Sequence, residues 1–156
     1  MIDIEVEADA WTRALPNAEA LARHAAEAAL QERAGDLVIL LTDDAGVQEL
    51  NRDHREQDKA TNVLSFPAAP SAAPHLGDVA LAYETCAREA AEHGKDLGHH
   101  LTHLVAHGVL HLLGWDHAVD ADAEAMEAQE RDLLAQLGVP DPYQHRDLPD
   151  PRSDHG

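Results

Sequence analysis

The stretch LGHHLTHLVAHGVLHLLGWDH, residues 97–117, predicts a long helix with one apolar side and one edge of histidines. At about 100° per residue, the apolar residues fall on a single arc of the helical wheel. The helix is expected to begin near Asp96 and to end at Gly114, because glycine readily adopts the left-handed conformation that ends helices. The arc is the predicted core face, and its members are Leu97, Leu101, Leu104, Val105, Gly108 and Leu112.

Two histidines lie at the border of this arc. His107 and His111 are one turn apart, so both imidazoles can reach one ion. Because Gly114 lets the chain turn back, His117 is brought towards the same ion as a third ligand. Three neutral imidazoles leave a fourth position open, which is the arrangement of a catalytic site. We expect one Zn²⁺ per chain at these three residues, and another divalent transition metal would suit the same ligands.

Other histidines compete for this role by spacing, since His103 and His107 are also four residues apart. Only the pair at 107 and 111 is followed by a glycine placed to deliver a third histidine. His99, His100 and His103 are therefore expected at the surface.

Two aspartates are candidates for orienting a metal ligand. Asp116 precedes the third histidine, where its carboxylate can accept a hydrogen bond from a ligand imidazole. It can equally serve as a turn residue after Gly114. Asp78 follows Gly77 at a predicted strand end, where it either orients a ligand or begins a turn.

Strands alternate with helices along the chain. Strands are predicted at 2–6, 37–41, 62–67 and 77–83, and helices at about 17–33, 45–54, 84–93, 96–114 and 120–137. This alternation predicts a single-domain α/β sandwich of about five helices with a small, mostly parallel sheet of about four strands, one of them free to run antiparallel. The domain is expected to cover residues 1–138, and the acidic, proline-rich residues 139–156 are expected to be a disordered tail.

Composition limits the classes of protein that remain. A chain of 156 residues with 44% hydrophobic residues can bury one core. No apolar run approaches the roughly 20 residues of a membrane span, and the N-terminus lacks signal-peptide features. We therefore expect a cytoplasmic protein without a membrane partner. The single cysteine, Cys86, is expected in the core.

The net charge is unfavourable for binding a polyanion. Eleven Lys and Arg against 30 Asp and Glu give −19, which repels nucleic acid overall. An RNA substrate must then be met by metal or by a local basic cluster. The cluster nearest the predicted site is Arg52, Arg55 and Lys59.

Gly108 argues against peptide hydrolysis. The spacing H-x-x-x-H-x-x-G-x-x-H is similar to that of metzincin proteases, which carry a glutamate after the first histidine as general base. Here that position is Gly108, which has no side chain. A protease of that mechanism is not expected.

The wording HGVLHLLGWDH resembles the histidine motif of the bacterial YbeY endoribonuclease family. Two more stretches agree: NRDHREQDKATNVLSFP, 51–67, and LGDVAL, 76–81. The resemblance extends to the acidic helix that follows, with Met126 and Glu130, and so covers about residues 51–131. Asn62 departs from the pattern, since that family has an aspartate there, and Trp115 replaces the commoner tyrosine.

The resemblance implies a metzincin-like α/β fold and a zinc-dependent endoribonuclease specific for single strands. It further implies a role in maturing the 3′ end of 16S rRNA and in ribosome quality control. The implied partners are single-stranded RNA, the small ribosomal subunit and its assembly proteins. Arg55 stands in the place of the family's functional arginine.

Chemical reasons support both the zinc site and Arg55. Zn²⁺ polarises a phosphoryl group and lowers the pKa of bound water towards about 7. Arg55 can hold phosphate oxygens with two parallel hydrogen bonds. Two alternatives stay open: a zinc peptidase or amidohydrolase with an atypical base, and a non-catalytic metal protein of ribosome assembly.

Overall fold

A central sheet with helices on both faces organises the chain. The computed structural model describes residues 1–30, 35–55, 62–69, 71, 74–113, 128 and 130–139, with side chains left out at 53–55. The elements, in order, are β1 (Ile2–Val6), α1 (Ala10–Ala14), α2 (Ala18–Leu30), β2 (Asp36–Thr42), α3 (Asp44–Arg55), β3 (Val63–Pro67), β4 (His75–Ala82), α4 (Tyr83–Glu92) and α5 (Leu97–Leu112). Residues 130–136 are also helical and are called α6.

The sheet has the strand order β1-β2-β4-β3. β1 pairs parallel to β2, and β2 parallel to β4, whereas β3 pairs antiparallel to β4. The predicted α/β sandwich with a mostly parallel sheet and one antiparallel strand is confirmed. β4 begins two residues earlier than predicted, so Asp78 lies inside the strand rather than at its end.

Side chains alternate between the two faces of the sheet, as the period of two in a strand requires. Leu37, Ile39 and Leu41 of β2, with Val79 and Leu81 of β4, join the main core on the face that α2 and α5 cover. On the opposite face, a smaller cluster consists of Val47 from α3 with Leu64, Ala80 and Ala82. Each fully buried valine, leucine or isoleucine side chain contributes roughly 1.5–3 kcal/mol to the stability of the fold.

Helix α1 was not predicted from the sequence. It is a single short turn that places Trp11 in the core, with no exposed surface. The indole Nε1–H donates to the carbonyl oxygen of Thr42 across 2.8 Å, which satisfies its one polar atom. This contact ties α1 to the end of β2.

Within the described ranges, no helix is long and apolar enough to span a bilayer. Val139, the first residue of the predicted tail, packs in the main core. Residues 140–156 lie outside the described ranges, so their disorder stays a prediction. Cys86 is fully buried, as expected.

Candidate metal centre

Helix α5 lies directly over β3 and β4. Its N-terminus is capped by Asp96, whose carboxylate accepts the backbone N–H of His99 at 3.1 Å. Two glycines allow the close approach of helix and sheet. A Cβ at Gly77 of β4 would lie 2.7 Å from Leu112 Cδ2, and a Cβ at Gly108 of α5 would lie 2.7 Å from Val79 Cγ1. The helix therefore rests on the sheet with almost no gap.

Gly108 faces the sheet, as its place on the core arc predicts. A Cβ there would also come within 3.1 Å of Ser65 Oγ. The Ser65 hydroxyl donates to the carbonyl oxygen of Gly108 across 3.1 Å. A glutamate at this position would have to push the helix off the strand, so packing itself excludes the carboxylate that metzincin proteases use.

His107 and His111 converge through their Nε2 atoms, which are 3.1 Å apart. Two ligands of one tetrahedral Zn²⁺, each about 2.0–2.1 Å from the metal, stand about 3.3 Å apart. Two imidazole lone pairs at this separation require a proton or a cation between them. The donor atoms present therefore fit a divalent metal, and the helical spacing brings them together as predicted.

A buried carboxylate lies behind the pair. Glu130 of α6 has no exposed surface, and its Oε1 is in direct hydrogen-bond contact with His107 Nδ1. Its Oε2 lies 3.3 Å from His103 Nε2. Sequence reasoning gave Glu130 no role. The available signal was its position one turn before the buried Leu133 and Leu134, where a charged side chain falls in an apolar stripe.

These contacts also define a second possible set of ligands. Ligand atoms of His103, His107 and Glu130 all lie within 4.8 Å of one another. In that set, however, His107 Nδ1 and Glu130 contact each other directly, which is the geometry of a hydrogen bond. The Nε2 atom of His107 remains directed at His111.

The expectation of surface histidines upstream is wrong for His100 and His103. His100 is only 7% exposed, and its Nε2 lies 3.0 Å from Glu89 Oε1. Burial lowers the pKa of His100, while the contact with Glu89 opposes that shift. Asn62 Nδ2 donates to the same Glu89 oxygen at 3.0 Å. His103 is half-buried against Glu130. His100 and His103 are both sheltered because α4 and α6 cover the edge of α5 on which they lie.

The other predicted site residues fall in different places. Arg55 is the last residue of α3, and its side chain lies outside the described part of the chain. Asp116 and His117 lie outside it entirely. Asp78 alternates with Val79, so it lies on the sheet face opposite α5. Its carboxylate lies 3.2 Å from His75 Nε2. The structure thus brings Asp78 to His75 and brings His107 together with His111.

A helix that presents two converging histidines over a mostly parallel sheet defines an α/β protein with a candidate metal centre. A family model described as Endoribonuclease YbeY matches residues 3–138. The chain belongs to this YbeY endoribonuclease family.

Named relatives agree with this assignment, and a solved structure agrees with the fold. A protein named Endoribonuclease YbeY from Rhodopseudomonas palustris (strain BisB18) is 53% identical, over 93% of this chain and 93% of its own. One of the same name from Paramagnetospirillum magneticum is 50% identical, over 91% of this chain and 94% of its own. The solution structure of a Thermotoga maritima protein matches with a TM-score of 0.56 at 22% identity, covering 96% of this chain and 99% of that one. At that identity it supports the fold alone.

Proposed function

We propose that this protein is a zinc-dependent endoribonuclease that cuts single-stranded RNA, with the 3′ end of 16S rRNA as its substrate. Membership of the YbeY endoribonuclease family supports the reaction class. The observation that carries the proposal is the convergence of His107 and His111 beside a helix position that has no room for a carboxylate. A metal site without an adjacent general base suits phosphodiester cleavage better than peptide hydrolysis.

The proposed metal ligands are His107, His111 and His117, with Asp116 accepting a hydrogen bond from one of the imidazoles. A bound zinc ion would supply Lewis acidity at the scissile phosphate. The chain's own part is to hold two Nε2 atoms at ligand separation and to shelter them, since His107 is only 23% exposed. The role of Asp78 in orienting a ligand stays a prediction, which an Asp78→Asn variant tests.

Arg55 is the proposed phosphate clamp. Its guanidinium is charged at every working pH and can donate two parallel hydrogen bonds to phosphate oxygens. At a net charge of −19, a local cation is needed to offset repulsion of the RNA. Arg55 is the last residue of α3, which packs on the sheet face opposite α5. An RNA bound at the histidines must therefore extend around the edge of the sheet to reach Arg55.

The proposed setting is the bacterial cytoplasm, during maturation of the small ribosomal subunit and ribosome quality control. The proposed partners are 16S rRNA, the small subunit and its assembly proteins. A strongly acidic surface is compatible with protein partners, while RNA would be engaged only at the proposed metal site and Arg55.

The test is cleavage of a labelled single-stranded RNA by zinc-loaded protein. We expect the parent to cut it, and His107→Ala and Arg55→Ala each to lose cleavage. Arg88→Ala is the matched control, because Arg88 is an exposed arginine of α4 paired with Glu92. Variants at His107 and Arg55 that cut as well as the parent would overturn the proposed site.

The remaining alternatives are outcomes of the same experiment. Zinc-loaded parent that binds small-subunit components but cuts no RNA would identify a non-catalytic assembly protein. Cleavage of a peptide library without cleavage of RNA would identify a zinc peptidase.

A further inference from the structure

We infer that Glu130 is a positioning residue that holds His107 in the tautomer with its hydrogen on Nδ1, so that the lone pair of Nε2 faces His111. His103 is a second donor to the same carboxylate. This inference rests on the proposed metal site at His107 and His111. It assigns to Glu130 and His103 a role in metal affinity, although neither is a proposed ligand.

The burial of Glu130 requires compensation. Its side chain has no exposed surface, and a carboxylate out of water is costly unless it is hydrogen-bonded and paired with positive charge. His107 and His103 contact its two oxygens, Oε1 and Oε2. A carboxylate that accepts through both oxygens places the hydrogens on His107 Nδ1 and His103 Nε2.

The consequence for His107 concerns its other nitrogen. A neutral imidazole with its hydrogen on Nδ1 has its lone pair on Nε2. That atom is the one 3.1 Å from His111 Nε2. Glu130 therefore aims a lone pair at the position a cation would take, and its negative charge makes the imidazole a better donor.

Apolar packing of α6 places the carboxylate. Glu130 lies in α6 one turn before Leu133 and Leu134, which are 1% and 0% exposed in the main core. Apolar packing of α6 thus sets the orientation of a ring on α5. Metal affinity then depends on the docking of a helix that carries no proposed ligand.

The alternative is that Glu130 is itself a ligand, with His103 and His107. In that arrangement the carboxylate would be a direct partner of the ion, and His111 would be dispensable. The two arrangements differ in which variants lose metal altogether and which only bind it more weakly.

The experiment measures zinc affinity by competition with a chromogenic chelator, for parent, Glu130→Gln, His103→Ala, His103→Gln and His111→Ala. Glu92→Gln, an exposed carboxylate of α4, is the matched control. We expect Glu130→Gln to bind zinc 10- to 100-fold more weakly, in the range of other residues that orient metal ligands. His103→Gln, whose amide still donates, should bind more tightly than His103→Ala. If Glu130→Gln keeps parental affinity, or if it loses zinc altogether while His111→Ala retains it, the inference is wrong.

A second measurement needs no variant. The ¹⁵N shifts of the His107 ring in metal-free protein at neutral pH should show the hydrogen on Nδ1. A hydrogen on Nε2 would overturn the inference even if zinc binds. Failure of the proposed function appears separately, as a parent that binds no zinc or cuts no RNA while His107 keeps this tautomer.

Discussion

The hydroxyl of Ser65 donates to the carbonyl oxygen of Gly108 across 3.1 Å and so joins β3 to the helix that carries the histidines. The helix comes this close because residue 108 has no side chain. A Cβ at this position would lie 3.1 Å from Ser65 Oγ and 2.7 Å from Val79 Cγ1. The same glycine that makes a peptidase mechanism unsuitable is thus also a packing requirement.

Adding one carbon at Gly108 should destabilise the fold. In Gly108→Ala the new Cβ would lie 2.7 Å from Val79 Cγ1. Such overpacking costs about 1–3 kcal/mol, whereas the better helix propensity of alanine returns about 1 kcal/mol. We expect a net loss of up to about 2 kcal/mol in the free energy of unfolding, measured with urea. Val79→Ala should then cost less in the Gly108→Ala background than in the parent, and equal costs in both backgrounds would contradict the account.

Asn62 should not tolerate replacement by aspartate without a change at Glu89. The Asn62 amide donates to Glu89 Oε1 at 3.0 Å, and an aspartate there would face a carboxylate instead. We expect Asn62→Asp to lose roughly 1–3 kcal/mol, the cost of losing a partly buried hydrogen bond to a charged carboxylate. Glu89→Gln should recover part of this loss, because its amide can donate to Asp. A double-mutant cycle in urea measures the coupling, and a coupling energy of zero would contradict the contact.

Stability of the metal-free protein should fall at mildly acidic pH through His100. Burial lowers the pKa of His100 in the folded state; Glu89 opposes the shift, and His103 and Lys95 add to it. The folded state therefore resists protonation, so stability is complete above the unfolded pKa of about 6.5 and is lost as pH falls below it. Unfolding free energies of parent and His100→Gln between pH 8 and pH 5 check this. The parent should lose more stability on acidification than the variant, and identical slopes would refute the assignment.

Cys86 should be chemically silent in the native protein. Burial, together with the charges of Glu89 and Asp44, raises the pKa of its thiol well above the usual range. We expect no reaction with Ellman's reagent at pH 8 until urea unfolds the chain, since only the thiolate reacts. Cys86→Ala should retain RNA cleavage. Stoichiometric labelling of folded protein within minutes would contradict this.

Much of the fold could be predicted because local patterns determine it. The apolar arc of residues 97–112 defined α5, and helical spacing placed His107 beside His111. The continuous apolar residues at 37–41 indicated a strand, which is β2.

Other features depend on tertiary packing that no local pattern encodes. Glu130 reaches His107 from 23 residues away in the sequence, because α6 docks its leucines into the core. His100 lies at the edge of the core face on the wheel, and only the packing of α4 decides that it is buried against Glu89. The short helix α1 has too few residues for a periodic signal.

In the proposed site, a metal ion held by the histidine pair is required for cleavage of RNA. The most direct test is the cleavage rate of single-stranded RNA while Zn²⁺ is titrated into protein stripped by a chelator. We expect no cleavage without metal and a rate that rises to a plateau at one equivalent per chain. Full cleavage by the stripped protein in excess chelator would contradict it.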